Sequence, residues 1–291
     1  MATSNGVRVI QHKGMAKVLS DAQVAQFHEQ GYLSGLDVFS ATECDEFRAR
    51  AEAFEYDRPN DVAWAFDIKC NLLFDWVYRI SAHPNLVDSV EDLIGPDILL
   101  TNSIFRIKEP QSPTHYGWHQ DAARIQVEPN FIIAYLAIGD ATTDNGCLKV
   151  IPNSQSKIEP FHLVGYSNRK LARVTSVDES TAVDLILKKG QVGFFHCNTI
   201  HGSGVNTSGA RRFALINDYT PAAARQSISK GSGQLLRGKD DLGNWGVEPL
   251  PSNSFDDNAR IRRSILNQFP ENVLMGPLDA GATPSFADRP H

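Results

Sequence analysis

The chain has 291 residues, enough to bury a substantial core, and its 42% hydrophobic and 21% charged content is that of an ordinary globular protein rather than a disordered one. A net charge of −6, with no basic cluster beyond pairs such as Lys188-Lys189, Arg211-Arg212 and Arg262-Arg263, leaves the counterion-release drive of nucleic-acid binding little to act through. The longest apolar run, Phe131 to Ile138, is too short to span a bilayer, and the polar start lacks a signal peptide's apolar centre, so the expected setting is cytoplasmic with no membrane partner.

The first part reads as helical. Ser20 with Gln23, and Ser40 with Glu43, are capping-box pairs in which the serine accepts an orphan amide and the third residue reaches back. Val24, Phe27 and His28 share one face before Gly31 ends the first helix; Phe47, Ala51 and Phe54 line the second. Tyr56 to Ala63 reads as irregular. Leu72 to Ile80 predicts a third helix and Pro84 to Leu93 a fourth, with Pro84 suited to its first turn and Gly95 to its C-terminal cap.

After Gly95-Pro96 the period shifts toward two. Ile98 to Lys108, Phe131 to Ile138, Cys147 to Ile151, Val183 to Leu187, Gln191 to Phe195 and Arg212 to Tyr219 read as strands, with Asp144-Asn145-Gly146 a hairpin turn. Successive strands without intervening helices predict a sandwich or barrel. Beyond Pro221 the chain reads as polar loop, with one helix around Asp257 to Gln268 and a proline-rich end. Cys44, Cys70, Cys147 and Cys197 are widely spaced, show no C-x-x-C, and fit reduced thiols better than a disulfide framework.

The chemistry centres on Trp118-His119-Gln120-Asp121. On an extended backbone the imidazole and carboxylate point to one side, within reach of a single metal ion, while Gln120 points away. The third candidate ligand is His201, 82 positions on (201 − 119). Two histidines and one carboxylate leave the opposite coordination positions open, which suits Fe(II) that must take an oxo-acid and O2; no fourth residue offers a closed zinc site. His115 and His119 have the spacing of a helical zinc protease, but Gly117 lies between them and the motif's glutamate is missing. Arg212 could hold the oxo-acid carboxylate with its guanidinium fork. Arg211 competes for that role, and alternation turns only one of the two inward; the parity of Arg212 with Ala214 and Ile216 favours it.

Trp118-His-Gln-Asp121, then Asp144-Asn-Gly-Cys-Leu-Lys-Val-Ile-Pro152, then His201-Gly-Ser-Gly-Val-Asn206 with Arg212, resembles the phytanoyl-CoA dioxygenase family of Fe(II)/2-oxoglutarate oxygenases over roughly residues 15 to 220. The resemblance implies a mainly β fold: a double-stranded β-helix, or jelly roll, over about 96–220, wrapped by helices over about 15–95, with 221–291 as an extension covering the core of a single domain. It implies Fe(II), 2-oxoglutarate and O2 as cofactor and cosubstrates, with His119, Asp121 and His201 as metal ligands. Arg212 then matches the arginine on the distal carboxylate of 2-oxoglutarate, Ser203 an assisting hydroxyl, Tyr135 an aromatic lining the cosubstrate pocket, and Asn102 a further cosubstrate contact.

Related halogenases replace the carboxylate ligand with Ala or Gly, whereas Asp121 is present here, so the implied outcome is hydroxylation of a small metabolite with release of succinate and CO2. Desaturation, cyclisation or epimerisation at the same centre, and a non-catalytic metal-binding jelly roll, are the alternatives. The oligomeric state is left open. Around this centre, His196 reads as an ordinary strand histidine or a partner of the ligands, and His115 as a surface loop residue. Trp64, Phe66, Trp76 and Tyr78 could pack the core or line a pocket, and Lys69 and Arg106 could face an anionic substrate group. Arg237 with Asp240 reads either as a surface loop or as the edge of a lid.

Overall fold

The computed structural model describes residues 18–123, 127–166, 169–226 and 230–269, with side chains outside 164–171. The polar start and the proline-rich end of the chain fall outside the described residues. Helix α1 (Asp21–Gln30) begins at Ser20 and closes at Gly31, whose φ of 80° suits a residue without a Cβ; both halves of the expected capping box form. Strand β1 (Tyr32–Asp37) follows, then α2 (Ala41–Asp57), again capped reciprocally, by Ser40 and Glu43.

Three short helices come next: α3 (Val62–Ala65), α4 (Cys70–Leu73) and α5 (Asp75–Ser81). The single helix expected over Leu72 to Ile80 is therefore broken, at Phe74, which is extended (φ −123°, ψ 119°). The Phe74 ring packs edge-on to Phe54 at 4.9 Å and also meets Phe66 and Phe255, so an aromatic cluster drawn from distant segments overrides local helical propensity. Helix α6 (Pro84–Ile94) matches expectation, with proline in the first turn and Gly95 as cap. Its buried Leu86, Val87, Val90 and Leu93 contribute about 1.5–3 kcal/mol each through removal from water.

The strands that follow are β2 (Ile98–Lys108), β3 (Tyr116–His119), β4 (Val127–Glu128), β5 (Ile132–Ala137), β6 (Leu148–Val150), β7 (Phe161–Tyr166), β8 (Arg169–Val174), β9 (Val183–Leu185), β10 (Gln191–His196), β11 (His201–Ser203), β12 (Arg212–Pro221), β13 (Arg225–Gln226), β14 (Ser232–Arg237) and β15 (Gly246–Val247). Helix α7 (Phe255–Gln268) comes last, with Ser254 as its cap. One sheet has the order β1-β10-β5-β12-β2-β14-β15, the other β7-β8-β3-β11-β6-β9. In chain order β2, β3, β5, β6, β9, β10, β11 and β12 alternate between the two sheets, symmetrically about β6 and β9. That alternation is the jelly roll.

Two apolar layers result. One lies between the larger sheet's outer face and the helices, with Phe105, Phe213, Leu215 and Leu136 meeting Phe27, Val77, Leu86 and Val90. The other lies between the sheets, with Ile133, Tyr135, Ala137, Leu148, Leu185 and Ala214. Period-two alternation along β2, β5 and β12 sends neighbouring residues to different layers.

The Asn145-Gly146 turn forms, with Gly146 at φ 72°, but it joins a segment after β5 in one sheet to β6 in the other rather than closing a hairpin. The stretch after Pro221 is also more than loop. Strand β14 pairs antiparallel with β2 and extends the larger sheet, and α7 packs beside α4, where Arg262 donates to the Ile68 and Trp64 carbonyls.

Lys69 sits at this junction. It was a candidate for an anionic substrate, but its Nζ is taken by Glu248 Oε1 at 2.5 Å and the carbonyls of Thr101 and Ser232, with both side chains essentially inaccessible. Likewise Arg237 does not edge a free lid: it is ion-paired to Asp88 and Glu91 of α6. Trp64, Phe66 and Trp76 pack into the helical core. Removing one partner of the Lys69–Glu248 pair strands a buried charge. Glu248→Ala is expected to lower the unfolding free energy in urea by about 3–5 kcal/mol. Lys69→Met with Glu248→Leu should recover part of the loss but not all, because Thr101 and Ser232 keep carbonyls that Lys69 served.

Candidate metal centre and oxo-acid pocket

Strands β3 and β11 are antiparallel neighbours, and His119 stands directly opposite His201 in the register. The next two strands of that sheet hold the arrangement from both sides, with β11 also paired to β6 through His201 and Val150. His119 is the last residue of β3. Asp121 opens a 3-10 turn (Asp121–Ala123), so it reaches the histidines from a bend and not from the extended backbone the spacing suggested. The bend is pinned by Ala122 N donating to Cys197 O at 3.1 Å. Gln120, turned away as expected, is buried; its amide donates to the Lys157 and Asn198 carbonyls and accepts from Glu159 N at 2.8 Å.

The ligand atoms of His119, Asp121 and His201 lie within 4.8 Å of one another. His119 Nε2 is 3.6 Å from Asp121 Oδ1, and His201 Nε2 is 3.7 Å from Oδ2. The other nitrogen of each ring is accounted for: His119 Nδ1 meets Gly117 O at 2.8 Å and His201 Nδ1 meets Thr199 O at 2.9 Å. A carbonyl only accepts, so each Nδ1 carries the proton and each Nε2 presents a lone pair to the centre. Burial pushes both imidazoles down to about 4, His119 further under the influence of His201, so both are neutral near pH 7. Burial raises the Asp121 carboxyl, with His119 and Arg106 acting in the opposite direction. Two neutral imidazoles and one carboxylate, converging from one side, fit a divalent cation with open positions.

Arg212 and Arg211 are separated by the pleat. Arg211 faces outward, donating to Glu55 at 2.8 and 2.6 Å and to Glu109 at 2.8 Å. Arg212 faces inward and is almost wholly buried, one NH group donating to Gly146 O, while its Nε has no partner. The Tyr135 ring lies 6.0 Å from the Arg212 guanidinium, and the buried Tyr135 hydroxyl is also unpartnered. Two orphaned buried polar atoms on neighbouring side chains are what a carboxylate ligand would satisfy.

Ser203 lies two residues beyond His201, buried, with its Oγ accepting from Lys108 Nζ at 2.9 Å. Lys108 was not singled out from the sequence, where nothing distinguishes it from a solvated lysine. The register places it opposite Arg212 on the inner face, where burial and Arg212 push its ammonium down to about 6.

Asn102 is not brought to this cluster. It lies six residues along β2 from Lys108, opposite Asp218, where its side chain accepts from Lys69 N at 2.9 Å and donates to Asp218 at 3.1 Å. Asp218, also missed in the sequence, is pushed up to about 7 by burial and then by Asp121, with Asn102 and Arg106 acting in the opposite direction. Arg106 sits between the two ends of β2, 3.8 Å from Asp67 and over the Tyr116 ring. His196 has an ordinary contact, accepting from Asn198 N at 3.1 Å, and His115 is exposed.

The neutrality of the two central histidines has a consequence for the metal-stripped protein. An unfolded histidine binds its proton near pH 6.5 and these two near 4. Between those values the unfolded state holds more protons, so stability falls as pH falls through the window. His119→Asn with His201→Asn should flatten that fall by roughly 1 kcal/mol per pH unit for each histidine, read as urea midpoints from pH 7 to 4.5. The same variant should lose tight binding of Fe(II) or Mn(II) at neutral pH.

A model of the family described as phytanoyl-CoA dioxygenase (PhyH) matches residues 27–214. The peroxisomal phytanoyl-CoA dioxygenase of Rattus norvegicus is 29% identical over 168 residues, 54% of this chain and 50% of that protein. The chain thus spans about half the length of the curated relatives it matches. Among solved structures, the apo form of the non-heme monooxygenase ThoJ is similar with a TM-score of 0.78 and 24% identity, covering 86% of this chain and 96% of the other. The epimerase SnoN in complex with Fe3+, alpha ketoglutarate and nogalamycin RO follows the same fold with a TM-score of 0.60 and 20% identity, covering 80% and 95%.

Proposed function

The chain belongs to the phytanoyl-CoA dioxygenase (PhyH) family, and on that footing we propose that it is an Fe(II)- and 2-oxoglutarate-dependent dioxygenase that hydroxylates a C–H bond of a small metabolite. The observation that carries the proposal is a conjunction. A three-ligand centre on the smaller sheet that leaves coordination positions open stands together with a buried, inward-facing arginine on the larger sheet whose Nε lacks a partner. A metal-binding module without turnover has no use for the second feature.

In this reading His119, Asp121 and His201 hold the iron, Arg212 takes the distal carboxylate of 2-oxoglutarate, and Tyr135 and Ser203 complete that end of the pocket. The bound iron, oxo-acid and O2 supply the oxidant, with succinate and CO2 as coproducts. The protein's share is positioning and exclusion of water. The Gly117 and Thr199 carbonyls fix the imidazole tautomers, Gln120 anchors the bend that aims Asp121, and the apolar layer around Tyr135, Phe195 and Ala214 keeps bulk water from the cosubstrate end. Asn102, Arg106 and Asp218 then border the substrate side, beyond the metal centre.

Asp121 argues against halogenation, since that carboxylate occupies the place a halide would need. Epimerisation is the second reading, favoured by the resemblance in fold to a protein named as an epimerase. The two readings differ in whether a substrate carbon gains oxygen. A reducing cytosolic setting belongs to the same proposal, supported by the buried, unpaired thiols of Cys44, Cys70, Cys147 and Cys197; the rat relative is named as peroxisomal. Among the described residues no helix is long and apolar enough to cross a membrane.

Anaerobic addition of 2-oxoglutarate to the Fe(II)-loaded protein should produce a visible charge-transfer band. Arg212→Met should weaken the affinity read from that band by about 10- to 100-fold, as expected for loss of a charge-assisted pair. With O2 admitted, succinate release should rise on addition of the correct substrate from a panel of amino acids, acyl thioesters and small heterocycles, and Asp121→Ala should abolish it. Absence of the band in the unmodified protein would overturn the proposal.

A further inference from the structure

Strand β12 puts Arg212 directly opposite Lys108 on β2. Both side chains are all but inaccessible, at 2% and 1%, although arginine and lysine are the residues least often buried without a countercharge. Among the described residues this pair has no countercharge. Lys108 Nζ donates to the Ser203 hydroxyl at 2.9 Å and to the Gly204 carbonyl, and makes a distant approach to the Tyr116 ring; Arg212 has the Gly146 carbonyl and the Tyr135 ring. The neighbouring carboxylates are committed elsewhere: Glu109 to Arg211, and Asp184 to Lys149 at 2.9 Å.

Among the described residues, neither of the two basic side chains that face each other has an ion-pair partner. The local backbone is shaped around them. A Cβ at Gly146 would lie 2.5 Å from Gly204 O, 2.7 Å from Val205 O and 3.0 Å from Lys108 Nζ, so the bare glycine allows the turn, the segment after β11 and the lysine to meet.

We propose that Lys108 is a second cationic contact for the distal carboxylate of the oxo-acid, acting with Arg212 as a two-cation clamp in which Ser203 fixes the lysine. The inference rests on the oxo-acid reading of the pocket and adds a residue to it. Burial beside Arg212 disfavours the protonated lysine in a medium of low polarity, and a carboxylate between the two restores the proton and turns the repulsion into attraction. A monocarboxylic oxo-acid supplies no charge at this end and leaves the repulsion in place. Selectivity for a dicarboxylic oxo-acid is then a property of the pair, and it exceeds what a single arginine beside a neutral wall would give. Burial and Arg212 push the Lys108 ammonium down to about 6, so near neutral pH the lysine takes up its proton as the anion binds.

The test compares two probes on the Fe(II)-loaded protein under anaerobic conditions, 2-oxoglutarate and 2-oxobutanoate, with dissociation constants from calorimetry or the visible band. The second probe keeps the metal-chelating end and lacks the distal carboxylate. Lys108→Met is expected to weaken 2-oxoglutarate by about 10-fold or more while leaving 2-oxobutanoate within about 2-fold. Lys108→Arg should recover much of the loss.

An equal loss for both probes would make Lys108 a structural support of the segment after β11, and no loss for either would remove it from the pocket; each overturns the inference. If Lys108→Met does not fold, judged by its thermal transition, Lys108→Gln replaces it, keeping a donor for the Gly204 carbonyl. The oxo-acid reading fails separately, if the unmodified protein does not prefer 2-oxoglutarate or if Arg212→Met leaves that preference intact.

Discussion

The pairing of β3 with β11 is the constraint on which the site depends. His119 and His201 are far apart in the chain, and only an antiparallel register that sets them directly opposite brings their imidazoles to ring centroids 4.1 Å apart. Because side chains alternate along a strand, slipping either strand by one residue would send its histidine to the outer face. The register is held from several directions. β6 pairs with β11 on one side, β8 pairs with β3 on the other through His119 and Arg173, and the bend carrying Asp121 is tied to Cys197 and, through Gln120, to Asn198, just ahead of β11. The metal centre is thus a product of sheet topology: the strand order that sets β11 between β3 and β6 is what places the two histidines face to face.

The same alternation divides the larger sheet into two chemically different faces. Outward, Phe105 on β2 and Phe213 and Leu215 on β12 meet the helices in an apolar layer. Inward, β2 and β12 present a graded sequence of pairs: Lys108 with Arg212, Arg106 with Ala214, Ile104 with Ile216, Asn102 with Asp218. One end is basic and dry, the middle sets Arg106 among the apolar Ala214, Ile104 and Ile216, and the far end carries a carboxylate held by an amide. A period of two is enough to code both faces in one stretch, which is why hydrophobicity along these strands reads as continuous while their chemistry does not.

Much of this was legible because it was local or because parity decided it. Both reciprocal caps, the helix from Pro84, the limits of β2 and the helix after Ser254 follow from signals within a few residues. Alternation favoured Arg212 over Arg211, and the family resemblance pointed the same way. What escaped was contact-dependent. The break at Phe74 answers to Phe54 and Phe255, which lie 20 residues before it (74 − 54) and 181 after it (255 − 74). The β7 and β8 hairpin and β14 lack strong alternation and owe their pairing to edges that other strands expose. The Asn145-Gly146 turn was visible, but not that its flanking strands belong to different sheets. Lys108 and Asp218 carry no motif; each gains meaning only from what the register sets beside it.

Lys69 and Lys108 show why type and position in sequence do not separate a structural cation from a functional one. Both are lysines buried to the same degree, and both donate to backbone carbonyls. Lys69 has Glu248 at 2.5 Å, so its charge is neutralised within the protein and its energy is spent on holding β14 and the segment after β15 to the larger sheet. Lys108 faces another cation instead. An opposite charge alongside offsets much of the desolvation cost of a buried charge, whereas a like charge alongside adds to it. A fold that retains the second arrangement carries a local cost that an anion arriving from outside would remove. The difference between the two lysines therefore lies not in burial but in the sign of the nearest charge, and that sign is set by the register of β2 against β12.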